Sequence, residues 1–201
     1  SDTETSQTYN KIKYQLRLKP KTLPTVDLFS DPATGSDSTW TVMVYAAADN
    51  LEEFALEDFQ EMSAIGSSKN VNIVMQMDRT AGYTSAYGNW KNTRRGLVQA
   101  GDTPDDGWGT GLGEQNMGDA AVLQDFVNWG MNTYQADNYA LILWGHGDGF
   151  NVSYDDITGD SISAGELSTV LGNAADTVDL VGADACLMGM TEVAYEISSH
   201  A

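Results

Sequence analysis

The 201 residues carry a net charge of −19, from 29 Asp and Glu against 10 Lys and Arg, while hydrophobic residues stand at 41%. That suffices for a real core but leaves too little cationic surface for a nucleic-acid binder, which must release counterions from phosphates. No apolar run reaches the roughly 20 residues of a membrane-spanning helix, and one Cys with two His excludes both an internal disulfide framework and a Cys/His zinc cluster.

Residues 1–37 lack apolar periodicity and contain Pro20, Pro24, Pro32 and Gly35. They read as an N-terminal arm or linker, with a short strand near Ile12 to Leu18. The chain starts at Ser and shows no signal peptide, which leaves secretion open for a processed chain. From Trp40 the pattern becomes regular. Trp40 to Ala47 is a continuous apolar run of strand length, as in a sheet buried on both faces. Asp49 or Asn50 then caps a helix over 51–65, with Gly66 as its stop. Val71 to Met77 predicts a second strand. Thr80 to Gln115 reads as loop plus a hairpin around KNTRRGLVQ. Asp119 caps the next helix, Tyr139 to Trp144 is a third buried strand, and a Gly-rich turn follows. Ser163 and Glu166 form a capping box opening a helix over 166–175. Val178 to Ala183 is the fourth strand, and Leu187 begins a further helix.

Four alternations of strand and helix imply an α/β fold with a parallel sheet and right-handed crossovers. Ligands of such sheets bind beyond the carboxyl ends of the strands. The third strand runs into Trp144-Gly-His146-Gly-Asp-Gly149 and the fourth into Asp184-Ala-Cys186. If these strands are neighbours, an imidazole and the only thiol open into one crevice. A thiolate nucleophile needs that imidazole to generate it and to protonate the leaving amine. A helix starting beside Cys186 would favour the thiolate further. The Gly147 and Cys186 N–H groups could together bind an oxyanion. Taken singly, the Cys reads rather as a small buried hydrophobe and the His as a turn residue. Their joint placement favours the dyad.

The stretches WTVMVYAAADNLEE (40–53), NMGDAAVLQDFVNW (116–129), YALILWGHGDGF (139–150) and DACLMGMTEVAYEI (184–197) resemble the clostripain family of cysteine peptidases, in the clan of caspases, legumain and gingipains. The resemblance implies a caspase-like, mostly parallel sheet with helices on both faces. It makes residues 38–201 the N-terminal part of a peptidase domain, with further strands expected after the Cys helix from a C-terminal segment or a second chain. It also implies a secreted or cell-surface cysteine endopeptidase needing no cofactor and acting on peptide or protein substrates. His146 then matches the catalytic histidine, Cys186 the nucleophile, and Gly147 and Cys186 the oxyanion donors. Asp184 matches an acidic residue that selects Arg or Lys at the base of the S1 pocket, which suits carboxylate–guanidinium pairing. The alternative for Asp184 is a cap on the following helix.

Asp155, Asp156 and Asp160 crowd three hard oxygen ligands into one turn and are a candidate calcium site, without EF-hand spacing. Some members of the resembled family depend on calcium. His200 has no motif around it. No Lys or Arg follows Arg95, while 17 acidic residues lie between Gly96 and Ala201. That half would draw in a basic peptide and offers no basic-residue site for self-cleavage. The different-class alternative is a catalytically silent caspase-like binding or surface module.

Overall fold

The computed structural model describes residues 38–200. The expected arm at 1–37, with its strand near Ile12 to Leu18, lies outside them. Eight strands and four α-helices follow in the order β1 (Trp40–Ala47), α1 (Glu52–Ile65), β2 (Val71–Asp78), β3 (Thr93–Leu97), β4 (Thr110–Gly113), α2 (Ala120–Thr133), β5 (Asn138–Gly145), β6 (Asn151–Asp155), β7 (Asp160–Ser163), α3 (Ala164–Gly172), β8 (Leu180–Ala185) and α4 (Thr191–Ile197). The main sheet has the order β4-β3-β2-β1-β5-β8. Its β2-β1-β5-β8 half is parallel, whereas β3 and β4 join antiparallel. Strands β6 and β7 form a separate hairpin.

The apolar runs of β1 and β5 are buried on both sides because helices cover both faces of the sheet. Helix α1 places Ala55, Leu56 and Phe59 on one face, where Phe59 meets Trp108 edge-on with ring centroids 4.8 Å apart. On the other face, Leu123, Phe126, Val127 and Met131 of α2 recur at helical spacing and pack with Leu167 and Val170 of α3 and Val193 of α4. Burying such a side chain is worth about 1.5–3 kcal/mol, so this two-sided core holds the strand ends that carry the chemistry.

The capping predictions divide. Asp119 accepts from the Ala121 N–H at 2.8 Å, and the Ser163–Glu166 capping box is complete. Asp49 and Asn50 are not caps. They lie in a 3-10 turn (Asp49–Leu51) before α1, and the N-cap residue is Leu51, without a side-chain cap. Helix α4 begins at Thr191 rather than Leu187, because 186–189 form a turn in which Leu187 takes a φ of +61°. The hairpin predicted around KNTRRGLVQ is instead strand β3 laid between β2 and β4. The β6–β7 hairpin carries too few apolar residues to be announced by periodicity.

Candidate active site

Strands β5 and β8 are parallel neighbours in a register that pairs Trp144 with Asp184 and Gly145 with Ala185. The next residues along each strand are His146 and Cys186. The sheet therefore brings positions 146 and 186 to adjacent strand ends at one carboxyl edge. Both are exposed, and Cys186 is a free thiol.

The two loops interlock through backbone. A Cβ on Gly147 would stand 2.6 Å from the Cys186 carbonyl oxygen and 2.8 Å from Met188 Cγ, so only glycine allows this approach. Gly145, at φ +135°, similarly lies against the Ala47 carbonyl at the end of β1. Around Gly147 the ladder bonds run from Asp148 N–H to Asn151 O and from Ser153 N–H to His146 O. Gly147 is thus a non-hydrogen-bonded pair with Val152, and its own N–H points away from the hairpin. Asp148 fixes the turn by accepting from Phe150 N–H (2.8 Å), Asn151 N–H (2.7 Å) and the Tyr154 hydroxyl (2.7 Å). These bonds, that of Tyr154 foremost, hold its carboxyl well below the usual range.

Asn50, which sequence reasoning took for a cap candidate, instead meets the imidazole of His146. Its Oδ1 lies 2.8 Å from His146 Nε2. With the amide oxygen facing the ring, this contact suits a tautomer protonated at Nε2. Beside Cys186 opens a cleft of about 510 Å³, lined by Leu51, Phe54, Asp58, Trp144 and Asp184 among others. Asp58 accepts from Trp144 Nε1 at 2.7 Å, which fixes the indole as one wall. Asp184 is exposed in this cleft, six positions before the N-cap residue of α4, Met190, so it does not cap that helix. The helix-terminus contribution to the thiolate also falls away, because α4 starts five residues beyond Cys186. His200 packs against Gly172 at the end of α3.

The expected calcium trio does not converge. Asp155 is buried, and its carboxylate accepts from the N–H groups of Met117, Ile157 and Thr158. Asp156 and Asp160 are exposed, and Asp160 is engaged with Asn116 and Ser161. Among the described residues, the carboxylates that gather are Asp49, Asp78 and Asp155, all buried, with one oxygen of each within 4.8 Å of the others. Burial raises the Asp49 carboxyl and pushes that of Asp78 up to about 9.

A sequence model of the clostripain family matches residues 44–201. Clostripain of Hathewaya histolytica is 33% identical over 187 residues, covering 78% of this chain and 35% of its own. A secreted C11 cysteine protease of Bacteroides thetaiotaomicron, solved with an irreversible peptide inhibitor, is 27% identical with a TM-score of 0.61, over 81% of this chain and 46% of that one. An inactive zymogen C11 protease of Parabacteroides distasonis shares the fold at 20% identity and a TM-score of 0.52, over 83% and 47% of the two chains. The chain thus spans about a third of the clostripain chain and under half of each of these two structures. The α/β architecture is the caspase-like one of these proteases, and the chain belongs to the clostripain family.

Proposed function

We propose that the protein is a cysteine endopeptidase that cleaves after Arg or Lys through a Cys186–His146 dyad, with residues 38–201 forming the N-terminal part of its peptidase domain. The pairing register of β5 and β8, which brings positions 146 and 186 to adjacent strand ends, supports this reading. His146 Nδ1 takes the Cys186 proton, and the Asn50 amide oxygen stabilises the resulting imidazolium through Nε2–H. The thiolate attacks the scissile carbonyl carbon, and the oxyanion is received by the N–H groups of Gly147 and Cys186. The tetrahedral species collapses as the C–N bond breaks and His146 returns its proton to the leaving amine. A water deprotonated by His146 then hydrolyses the thioester, which releases the acid and restores the thiol.

Specificity comes from the adjoining cleft. Asp184 and Asp58 set two carboxylates in its lining and no basic residue among them. A guanidinium or ammonium entering beside Trp144 gains charge-assisted hydrogen bonds in a partly desolvated site. No cofactor is required by this chemistry. The peptidase domain is completed by a C-terminal segment or a second chain. Edge strand β8 and the apolar cleft between it and α4, lined by Leu143, Val181, Met188 and Val193, support this, because both are open on one side among the described residues. Export to the medium or cell surface belongs to the same reading. The test is cleavage of a P1-scanned peptide library by the full-length protein, with Cys186→Ala as control. The expected result is a preference for Arg or Lys that Asp184→Asn lowers by at least tenfold. Indifference to P1 would remove the specificity, and absence of any Cys186-dependent cleavage would leave the silent module standing.

A further inference from the structure

We infer that Leu187 and Phe150 form the subsite for the leaving-group side of the substrate, and that it takes an apolar side chain just after the scissile bond. The inference rests on the protease reading above, in which His146 protonates the leaving amine. A general acid must reach the nitrogen it protonates. The amine side of the scissile bond therefore lies over the histidine loop, while the acyl side reaches into the cleft lined by Leu51, Trp144 and Asp184.

The two sides of the bond fall towards opposite faces of the sheet. Leu51 and Trp144 pack with the core on the α1 face. The histidine loop continues into the β6–β7 hairpin, whose Val152 and Ile162 pack with Met188 and Val193 on the face of α2, α3 and α4. Two large apolar side chains stand exposed where loop and turn meet. Leu187, next to Cys186, is 66% exposed, and Phe150, four residues after His146, is 65% exposed. A Cβ on Gly149 would stand 3.7 Å from Leu187 Cβ and 2.5 Å from Met190 Sδ, so the turn after Cys186 and the histidine loop touch there. Phe150 follows Gly149 directly.

Neither side chain is exposed by slack backbone. The Phe150 N–H donates to Asp148 Oδ1 at 2.8 Å, and its carbonyl accepts from the Ala164 N–H at 2.9 Å. Leu187 holds φ at +61°, a region uncommon for a bulky apolar residue. Such conformations persist where the surrounding structure imposes them, and they gather at functional sites. Apolar side chains held in water beside a reacting bond mark a contact surface. Around Phe150 a cleft of about 310 Å³ is lined by Gly149, Ala164 and Val193, with Glu192 and Glu196 exposed at its rim. That lining accepts an aliphatic or aromatic side chain and repels an acidic one. The rival occupant is the C-terminal segment of the peptidase domain, laid over the same two residues.

Microscopic reversibility gives a readout confined to this subsite, because the surface that holds the departing amine also holds an amine attacking the thioester. The incoming nitrogen bonds to the acyl carbon, the C–S bond breaks, and the amine proton passes through His146 to the Cys186 sulfur. Full-length protein is given the N-acyl ethyl ester of the P1 residue that the peptide library favours. Leucinamide, phenylalaninamide, glycinamide or the α-amide of aspartate is added at equal free-amine concentration, and the ratio of amide to acid product is measured. Leucinamide and phenylalaninamide should capture the acyl-enzyme at least about tenfold better than glycinamide, and the aspartate amide worse than glycinamide. Phe150→Ser and Leu187→Ser should each bring the leucinamide-to-glycinamide ratio towards one, whereas Phe150→Leu keeps most of it. The ratio compares amines within one preparation, so a variant's lower total activity does not enter it. Equal capture of all four amides by the unsubstituted protein overturns the proposal, whatever becomes of the variants, and is the result expected if the C-terminal segment covers the two residues. A preference that survives both serine substitutions overturns it equally. Absence of Cys186-dependent ester hydrolysis overturns the protease reading and this proposal with it, while hydrolysis that is indifferent to the amine overturns this proposal alone.

Discussion

Removing one partner of the Arg79–Glu52 pair should be among the costliest single changes in the fold. Arg79 Nε lies 3.1 Å from Glu52 Oε2, and both side chains are 0% exposed. Glu52 also accepts from the Thr84 N–H, while Arg79 donates to the Ala86 carbonyl at 3.2 Å and stacks its guanidinium over Trp90, 4.7 Å from the ring centroid. Glu52→Gln keeps the volume but removes the charge, and it faces either Arg79 or Thr84 N–H with a second donor. The stranded guanidinium then sits in apolar surroundings, which costs about 3–5 kcal/mol. For a domain of this size that is a fall in Tm of roughly 6–20 °C. Urea unfolding of the full-length Cys186→Ala protein measures the loss, alone and in a cycle with Arg79→Met. The double variant should cost less than the two single ones together, because neither charge is then unpaired. A loss below about 1 kcal/mol for Glu52→Gln, the size of a surface pair, would refute the placement of this pair in the dry core.

Other substitutions separate positioning from packing. Asn50→Ala should lower kcat/KM on the order of 10²-fold and alter its pH profile, since His146 loses the acceptor at Nε2; an unchanged profile would detach Asn50 from the base. Gly147→Ala should cost about 1–3 kcal/mol and an activity loss of similar order, as its Cβ meets the Cys186 carbonyl. Near-native stability and activity together would contradict the interlocked loops. Asp148→Asn should destabilise the histidine loop at pH 7, seen as faster local hydrogen exchange over 146–151. The Asp148 carboxyl is held below its unfolded value, so its contribution is present above that unfolded value and is lost as pH falls through the depressed one. The gap between variant and parent should therefore close under strongly acidic conditions, and a gap that widens there would reverse the assigned sign.

The central strands were legible because β1, β2 and β5 are buried on both faces, which writes uninterrupted apolar runs such as WTVMVYAA into the chain. Strand β8 was found with a shift of two residues, since Val178 is buried ahead of the ladder and extends the apolar pattern. The candidate dyad positions were singled out by glycines and the lone Cys at strand ends, and the structure sets those ends next to each other. Asn50, Asp49 and Asp78 were not singled out with them, because a polar residue closing an apolar run looks locally like a cap or a turn. Only the meeting of β1, β2 and the β6–β7 hairpin, from positions up to 107 residues apart as in the Asp49–Asp156 bond, gives them other partners. For the same reason Asp155 could be singled out from its turn while its companions could not. The β4 sequence TGLG has no side-chain signal at all; its strand is made by pairing with β3.

The central claim is that Cys186 is the nucleophile, activated by His146 from the adjacent strand end. Intact mass and peptide mapping of the full-length protein after exposure to an arginyl acyloxymethylketone test it most directly. The account predicts one adduct on Cys186, absent in Cys186→Ala, slowed at least a hundredfold in His146→Ala, and formed more slowly with an uncharged P1 residue. An adduct that persists in Cys186→Ala, or labelling of Cys186 that ignores the loss of His146, would contradict it.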